Sequence, residues 1–338
     1  MEEKSVLILM ASYNGEKYIE EQIQSILNQT YNNFTLWIQD DASSDSTLDI
    51  IKQYMSLDCR IRLTVNDGIH GPYYNFHSLI NKAKDLDAYD YYMFCDHDDV
   101  WHPRKIEKMV NAADSYDSNM PVLIYANMQL IDGNGNVTEE DVDKKLALKC
   151  KGQWDLFYNH RVYGCNSLFN QALFNIVPKV DLLANKDIVS ILCHDNYYAK
   201  FAALFGKLVY LDEITMSYRR YGKNVTAAHR YDYGIKRILN RVADIDSLEK
   251  DHARTYSQSL YTINVMLKQY GNNLQVDKYK ALCEIQTSLQ KGGTKACKCF
   301  LKYRISCGIK VRTFSRFAIL MFGAYKKYLI FTKNEQNI

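Results

Sequence analysis

Asp96-His97-Asp98-Asp99 places three carboxylates within four residues, directly after a strongly apolar stretch. Carboxylates this close repel one another, so a positive group or a shifted protonation has to compensate them. Asp96-x-Asp98 supplies hard oxygen ligands of the kind that Mg2+ or Mn2+ takes, with coordination positions left for a substrate phosphate. Such an ion would offset the charge of a diphosphate leaving group. The plain alternative is a solvated acidic turn. Two more polar groups close apolar runs: Ser12-Tyr13-Asn14 and Asp40-Asp41. Taken alone, each reads first as a helix cap or a turn, because Asx and Ser side chains bond nearby backbone amides. Asp195, ahead of the apolar stretch Tyr197 to Phe205, also reads on sequence alone as an N-terminal cap. No Gly-x-Gly-x-x-Gly follows the first apolar run and no GxxxxGK[ST] occurs, so a bound nucleotide would be held in another way.

The elements that must position these groups are legible as apolar runs with amphipathic stretches between them. Val6 to Ala11 predicts a buried strand, and Ile19, Ile23, Ile26 and Leu27 follow at helical spacing. Phe34 to Ile38 predicts the second strand, and Ser43 to Asp45 can cap the helix after it. Arg60 to Val65 and Tyr89 to Cys95 predict the third and fourth. This alternation predicts an α/β fold with a largely parallel sheet covered by helices on both faces. Ligands bind such sheets at the carboxyl ends of the strands, which would bring the three polar groups to one edge. After Pro121 the pattern changes. Val122 to Ala126 and Met128 to Ile131 precede Asp132-Gly-Asn-Gly, a strong turn signal, so the sheet is expected to become mixed. Residues 134–160 are polar, with Glu139 to Asp143 acidic, and read as a mobile loop beside the site. Beyond Tyr231 the pattern is helical.

With 338 residues the chain is long enough for one large domain of roughly 220–230 residues and a smaller appendage. Hydrophobic residues make up 47% and charged residues 24%, which excludes disorder and collagen-like repeats. Nine scattered cysteines, an odd number without a CxxC pair, argue against a disulfide framework and fit a reducing cytosol. The sequons at Asn28, Asn33, Asn136 and Asn224 then read as chance. The apolar run after Met1-Glu-Glu-Lys is too short for a signal-peptide core, and no stretch of 18 uncharged apolar residues occurs. Charge is unevenly spread. Lys291 to Lys333 holds eleven Lys or Arg and no acid, which leaves 31 Lys and Arg against 38 Asp and Glu before it. Within that run, Phe314, Phe317, Ala318, Met321, Phe322, Tyr325 and Leu329 fall at helical spacing, with Arg312, Arg316, Lys326 and Lys327 nearby. A basic amphipathic helix of this kind suits an anionic membrane surface, engaged through 298–333. A helix packed on the larger domain is the alternative. Nucleic acid is a poor partner, since the rest of the chain is acidic and no nucleic-acid-binding motif occurs.

Five segments stand in a specific order and spacing: VLILMASYNGEKYIEEQIQSILNQT, IQDDASSDSTLDII, FCDHDDVWHPRKI, YGCNSLFNQAL and CHDNYYAKFAALFGKLVYLDEITMSYRRYGKNVTA. From residue 5 to about 228 this arrangement resembles family 2 glycosyltransferases of the GT-A fold, most closely the bacterial rhamnosyltransferase-like branch. The resemblance implies that Ala11, Tyr13, Asn14 and Glu16 surround the base and ribose of a nucleotide and that Asp40 hydrogen-bonds a pyrimidine. It implies that Asp96 faces ribose and metal, that Asp98 ligates the metal directly, and that Asp195 is the general base. A carboxylate so placed accepts the acceptor's hydroxyl proton in a single displacement that inverts configuration. His194 is given no chemical role, and Asp99 is left to cap the helix near Trp101 and Pro103. Two positions depart from the family pattern. Tyr221 stands where relatives commonly carry a histidine that completes the metal site, and Tyr74 where a basic residue often contacts the diphosphate. His229, eight residues on from Tyr221, reads as solvated.

The resulting expectation is a GT-A transferase domain at 1–228, a mixed, mostly parallel sheet flanked by helices, with a helical C-terminal region at 229–338. Its expected activity is inverting transfer of rhamnose or a hexose from a dTDP-sugar or UDP-sugar, with Mn2+ or Mg2+. The expected acceptor is a growing, lipid-linked cell-surface glycan of capsule or O-antigen type, and the expected location the cytoplasmic, inner face of the plasma membrane, peripherally bound. A sugar nucleotidyltransferase is the second enzymatic reading, but it would want a glycine-rich basic phosphate loop, of which ASYNGEKY is a poor version. A non-catalytic glycan- or nucleotide-binding protein retaining the fold is the third, prompted by Tyr221 and Tyr74.

Overall fold

A computed structural model describes residues 3–86, 88–184, 186–222 and 244–330. The chain divides into two compact units, one made of Met1–Lys144, Val162–Ala184 and His194–His229, the other of Lys145–Arg161, Asn185–Cys193 and Arg230–Ile338. The boundary expected at 228 lies outside the described residues, as does His229.

In the first unit the apolar runs form β1 (Val6–Ser12), β2 (Phe34–Asp40), β3 (Ile61–Val65) and β4 (Tyr91–Asp96), with α1 (Ile19–Leu27), α2 (Thr47–Leu57) and α3 (Pro72–Ala83) between them. Every residue of β1 is buried, which is why the run shows no alternation: the strand is covered on both faces. α1 buries Ile19, Ile23 and Ile26, as their spacing requires. β1 runs parallel to β2 and β4, and β2 parallel to β3. The register sets Ala11 beside both Gln39 and Asp96, and Ser12 beside Asp40. Three polar strand ends therefore do share one edge.

The chain continues through β5 (Val100–Trp101), α4 (Lys105–Ala113), β6 (Val122–Ile131), β7 (Val137–Glu139), α5 (Val142–Leu146), β8 (Ser167–Asn170), α6 (Gln171–Ile176), α7 (Lys186–Val189), α8 (His194–Phe205) and β9 (Lys207–Arg219). Among the described residues the sheet order is β3-β2-β1-β4-β8-β6-β9-β5, with β7 on β6. β8 is antiparallel to both β4 and β6 while β6 and β9 are parallel, so the sheet is mixed beyond Pro121 as expected. The two apolar runs at 122–131 are one strand, irregular in register around Asn127.

Residues 134–160 are not the irregular loop that their polarity suggested. They hold β7, α5 and a 3-10 turn at Asp155–Phe157, and Leu146, Leu148, Leu156, Phe157 and Tyr158 are buried. These apolar residues recur at intervals that match neither a helical nor a strand period, so periodicity could not find them.

Among its described residues from 244 on, the second unit is helical, as the pattern predicts: α9 (Ile245–Tyr270), α10 (Val276–Lys291), α11 (Gly293–Lys302) and α12 (Lys310–Phe322). Ile263, Leu282, Ile285, Leu289 and Phe300 are buried in it. Among the described residues no helix is long and apolar enough to cross a membrane.

Candidate active site

The loop after β1 is tied to the start of α2. Asn14 adopts a positive φ of 44°, which its short amide side chain tolerates. Its amide N–H donates to Ser43 Oγ at 2.8 Å, and its Oδ1 accepts from the Ser44 N–H at 2.9 Å. Glu16 Oε2 accepts from the Ser46 N–H at 3.0 Å. Tyr13 is exposed and Ala11 buried. A methyl group on Gly15 would fall 2.4 Å from His97 Cδ2, so only glycine lets the imidazole of the acidic run lie against this loop. Asp45 accepts from the Thr47 N–H at 3.0 Å, but the N-cap position of α2 is Ser46 and its side chain makes no cap bond, so the cap expected from Ser43 to Asp45 does not form in that way.

Asp40 and Asp41 are both buried and both supplied with donors. Asp40 accepts from Ser12 Oγ at 2.8 Å and from the backbone N–H and hydroxyl of Ser43, each at 2.7 Å. Asp41 accepts from Asn66 Nδ2 at 2.6 Å and the Gly71 N–H at 2.7 Å, with His70 Nδ1 at 3.0 Å.

The acidic run is differently served. Asp99 is fully buried; one oxygen accepts from the Arg219 N–H at 2.9 Å, while Oδ2 has no partner. It does not cap α4, whose first turn receives no side-chain cap. Burial, then the charges of Asp98 and Asp96, push Asp99 well above the usual carboxylate range. Burial, then Asp98 and Asp195, push Asp96 up to about 7. Asp98 Oδ2 accepts from the Tyr221 hydroxyl at 2.9 Å, so the residue at the departed histidine position reaches the carboxylate as a donor. The compensating positive charge is present: Arg219 donates from Nε to the Asp98 carbonyl at 2.8 Å and pairs with Glu21, and Lys105 is buried behind the run. Burial pulls Lys105 down to about 8.

Asp195, far away in sequence, bonds Gly164, whose neighbour Cys165 places its thiol within 4.8 Å of the Asp96 and Asp99 oxygens, and its charge is among those that raise Asp96. It lies in the first turn of α8, bonds the Asn196 N–H at 2.6 Å, and accepts from the Gly164 N–H at 3.0 Å. Burial raises it, which makes it a better proton acceptor than a solvated carboxylate. A methyl on Gly164 would sit 2.8 Å from His194 Nε2 and 3.0 Å from Asp195 Cβ, so glycine is required for this approach. His194 stacks on Phe76 at 3.8 Å and is held neutral by burial, down to about 3. Tyr74 is buried in the first turn of α3.

These residues suit a divalent cation. Asp99 Oδ2 is a buried oxygen without a partner, and oxygens of Asp96 and Asp99 lie within 4.8 Å of each other and of Cys165 Sγ. Burial keeps the Cys165 thiol strongly disposed to stay protonated, so hard carboxylate oxygens are the ligands the site offers. Sequence reasoning missed Lys105, Arg219 and Gly164. All three lie inside segments that carry the resemblance, but a single cation or glycine has no spacing that sets it apart.

The family model for Glycosyl transferase family 2 matches residues 7–175. The dTDP-rhamnosyl transferase RfbG of Shigella flexneri is 33% identical over 230 residues, 65% of this chain and 74% of that protein. In fold the chain is similar to S. aureus TarS 1–349 in complex with UDP-GlcNAc, with a TM-score of 0.54, 13% identity and coverage of 96% of this chain and 84% of that one. It is similar too to the mannosyltransferase PcManGT from Pyrobaculum calidifontis in complex with GDP-Man and Mn2+, with a TM-score of 0.52, 12% identity and coverage of 96% and 89%. A carboxylate-rich strand edge on this mixed sheet and a family match over half of the sequence lead to one conclusion: the chain belongs to glycosyltransferase family 2.

Proposed function

We propose that the protein transfers a sugar from a nucleoside diphosphate donor to a growing cell-surface glycan, with inversion, and that residues 1–228 form the transferase domain. The observation that carries this reading is that Asp195 accepts from the Gly164 N–H while the adjacent Cys165 carries its thiol within 4.8 Å of the Asp96 and Asp99 oxygens, although Asp195 and the acidic run are far apart in sequence. Asp195 takes the proton from the acceptor hydroxyl, its lone pairs aimed by the Gly164 amide and its basicity raised by burial. Ala11, Tyr13, Asn14 and Glu16 surround the nucleotide, Asp40 holds the pyrimidine side of that pocket, and Asp96 faces the ribose. Mn2+ or Mg2+ held by Asp96 and Asp98 would offset the charge of the departing diphosphate. dTDP-rhamnose is the leading donor, supported by the similarity to the Shigella rhamnosyl transferase, with UDP-hexoses next.

A lipid-linked acceptor at the inner face of the plasma membrane fits the second unit, taken here as 229–338. There Leu301, Val311, Phe314 and Phe322 are 64%, 48%, 72% and 81% exposed. Val311, Phe314 and Phe322 fall on one stripe of α12 within the acid-free cationic run, the pattern of a helix that lies on an anionic surface. The Tyr221 bond to Asp98 keeps a binding-only protein as the second reading. Mn2+-dependent release of UDP or dTDP from a panel of donors separates the two, since a binding-only protein retains nucleotide affinity without turnover. Asp195→Asn is expected to lower turnover about 10^2–10^4-fold with little change in donor affinity. Unimpaired transfer by that variant removes Asp195 from the base role.

A further inference from the structure

Lys105 opens α4 yet is fully buried, a rare position for a lysine that has no ion pair among the described residues. Its ammonium lies 3.9 Å from the centroid of the Trp101 ring, donates to the Cys165 carbonyl oxygen, and approaches Met216 Sδ at 3.3 Å. None of these contacts supplies a negative charge. The residue whose carbonyl it binds also places its thiol within 4.8 Å of the Asp96 and Asp99 oxygens, so Cys165 lies next to both the ammonium and the acidic run. Both carboxylates feel its charge. A buried cation persists when neighbouring charge balances it, and a buried carboxylate with an unpartnered oxygen needs the same. The other cation at the run, Arg219, already pairs with Glu21.

We propose that Lys105 is the built-in counter-ion of the acidic run and that its charge opposes a divalent cation held by that run. The ion is then held weakly until a donor diphosphate adds its own negative charge, which makes metal and donor bind together. This rests on the metal reading given above.

The test is Mn2+ binding by the metal-free full chain, without nucleotide, measured by equilibrium dialysis and by the Mn2+-dependent rise in Tm. Lys105→Met is expected to bind Mn2+ about tenfold tighter than the native protein, and Lys105→Arg to stay near native affinity, because a like charge is removed in the first and kept in the second. A residue that only fills space would lower Tm in Lys105→Met without changing Mn2+ affinity, and that result overturns the proposal while leaving the metal site intact. If the native protein shows no Mn2+ effect even with UDP or dTDP, the metal reading itself fails and the competition falls with it. Should Lys105→Met not yield folded protein, the double variant Asp99→Asn/Lys105→Met removes both charges. Recovery of folded protein supports the pairing, and failure to recover overturns it.

Discussion

The ends of β2 and β4 carry the same chemistry in the sequence and different chemistry in the fold. Asp40-Asp41 and Asp96-x-Asp98-Asp99 each close a parallel strand at the same sheet edge. At β2 the end of β1, the loop after β2 and the segment between β3 and α3 turn hydroxyls and amides of Ser12, Ser43, Asn66 and Gly71 toward the carboxylates. At β4 Asp99 keeps an oxygen without a partner among the described residues, and Asp96 is raised by burial and by its acidic neighbours. Carboxylates are committed to structure where the backbone supplies their hydrogen bonds, and remain available to a ligand where it does not.

The sharpest way to break this contrast is to remove one charge from each group. Asp98→Asn is expected to cut Mn2+-dependent turnover about 10^2–10^3-fold while the protein stays folded, because the loss falls on charge stabilisation of the leaving group. Asp40→Asn is expected to act on stability, costing about 1–3 kcal/mol, since an amide nitrogen would face one of the hydroxyl or N–H donors now bonded to the carboxylate. Turnover per folded molecule should fall only several-fold. Loss of turnover in Asp40→Asn with an unchanged Tm would erase the difference between the two strand ends.

A smaller effect sharpens it further. Asp96 is raised to about 7 and Asp99 is raised as well, whereas carboxylates in an unfolded chain titrate near pH 4. The folded state therefore holds protons that the unfolded chain releases, and this contribution to stability is lost as pH rises from about 4 through about 7. Carboxylates held low, such as Asp58 beside Arg60 and Glu107 at about 2, act in the opposite sense only below that window, and His194, held neutral by burial down to about 3, opposes the loss up to its unfolded value of about 6.5. Without a divalent ion, Tm should fall by about 2–4 °C between pH 6 and pH 8, and Mn2+ should remove most of that fall. A profile that is flat with and without Mn2+ would mean that the β4 carboxylates are as well satisfied as those of β2.

Much of the first unit was legible without coordinates. The parallel order of β1 to β4 follows from uninterrupted apolar runs separated by amphipathic helices, and the meeting of polar groups at one edge follows from that order. Residues 134–160 were misread because Leu156, Phe157 and Tyr158 are buried without any period to announce them. Asp99, assigned to a cap, is instead held by the backbone of β9, a pairing 120 residues away in sequence.

By itself the amino-acid sequence determined the strand-and-helix alternation, the acidic strand ends and the uneven spread of charge. These rest on local pattern, which short stretches of chain carry alone. Only the tertiary structure decided which carboxylates are satisfied, that Arg219 bonds the run at β4 and Lys105 bonds Cys165 beside it, and that Asp195 bonds Gly164, the residue before Cys165. Those facts depend on distances between residues far apart in the chain, and the strength of a charge in a buried site is set by such neighbours and not by its own position in the sequence.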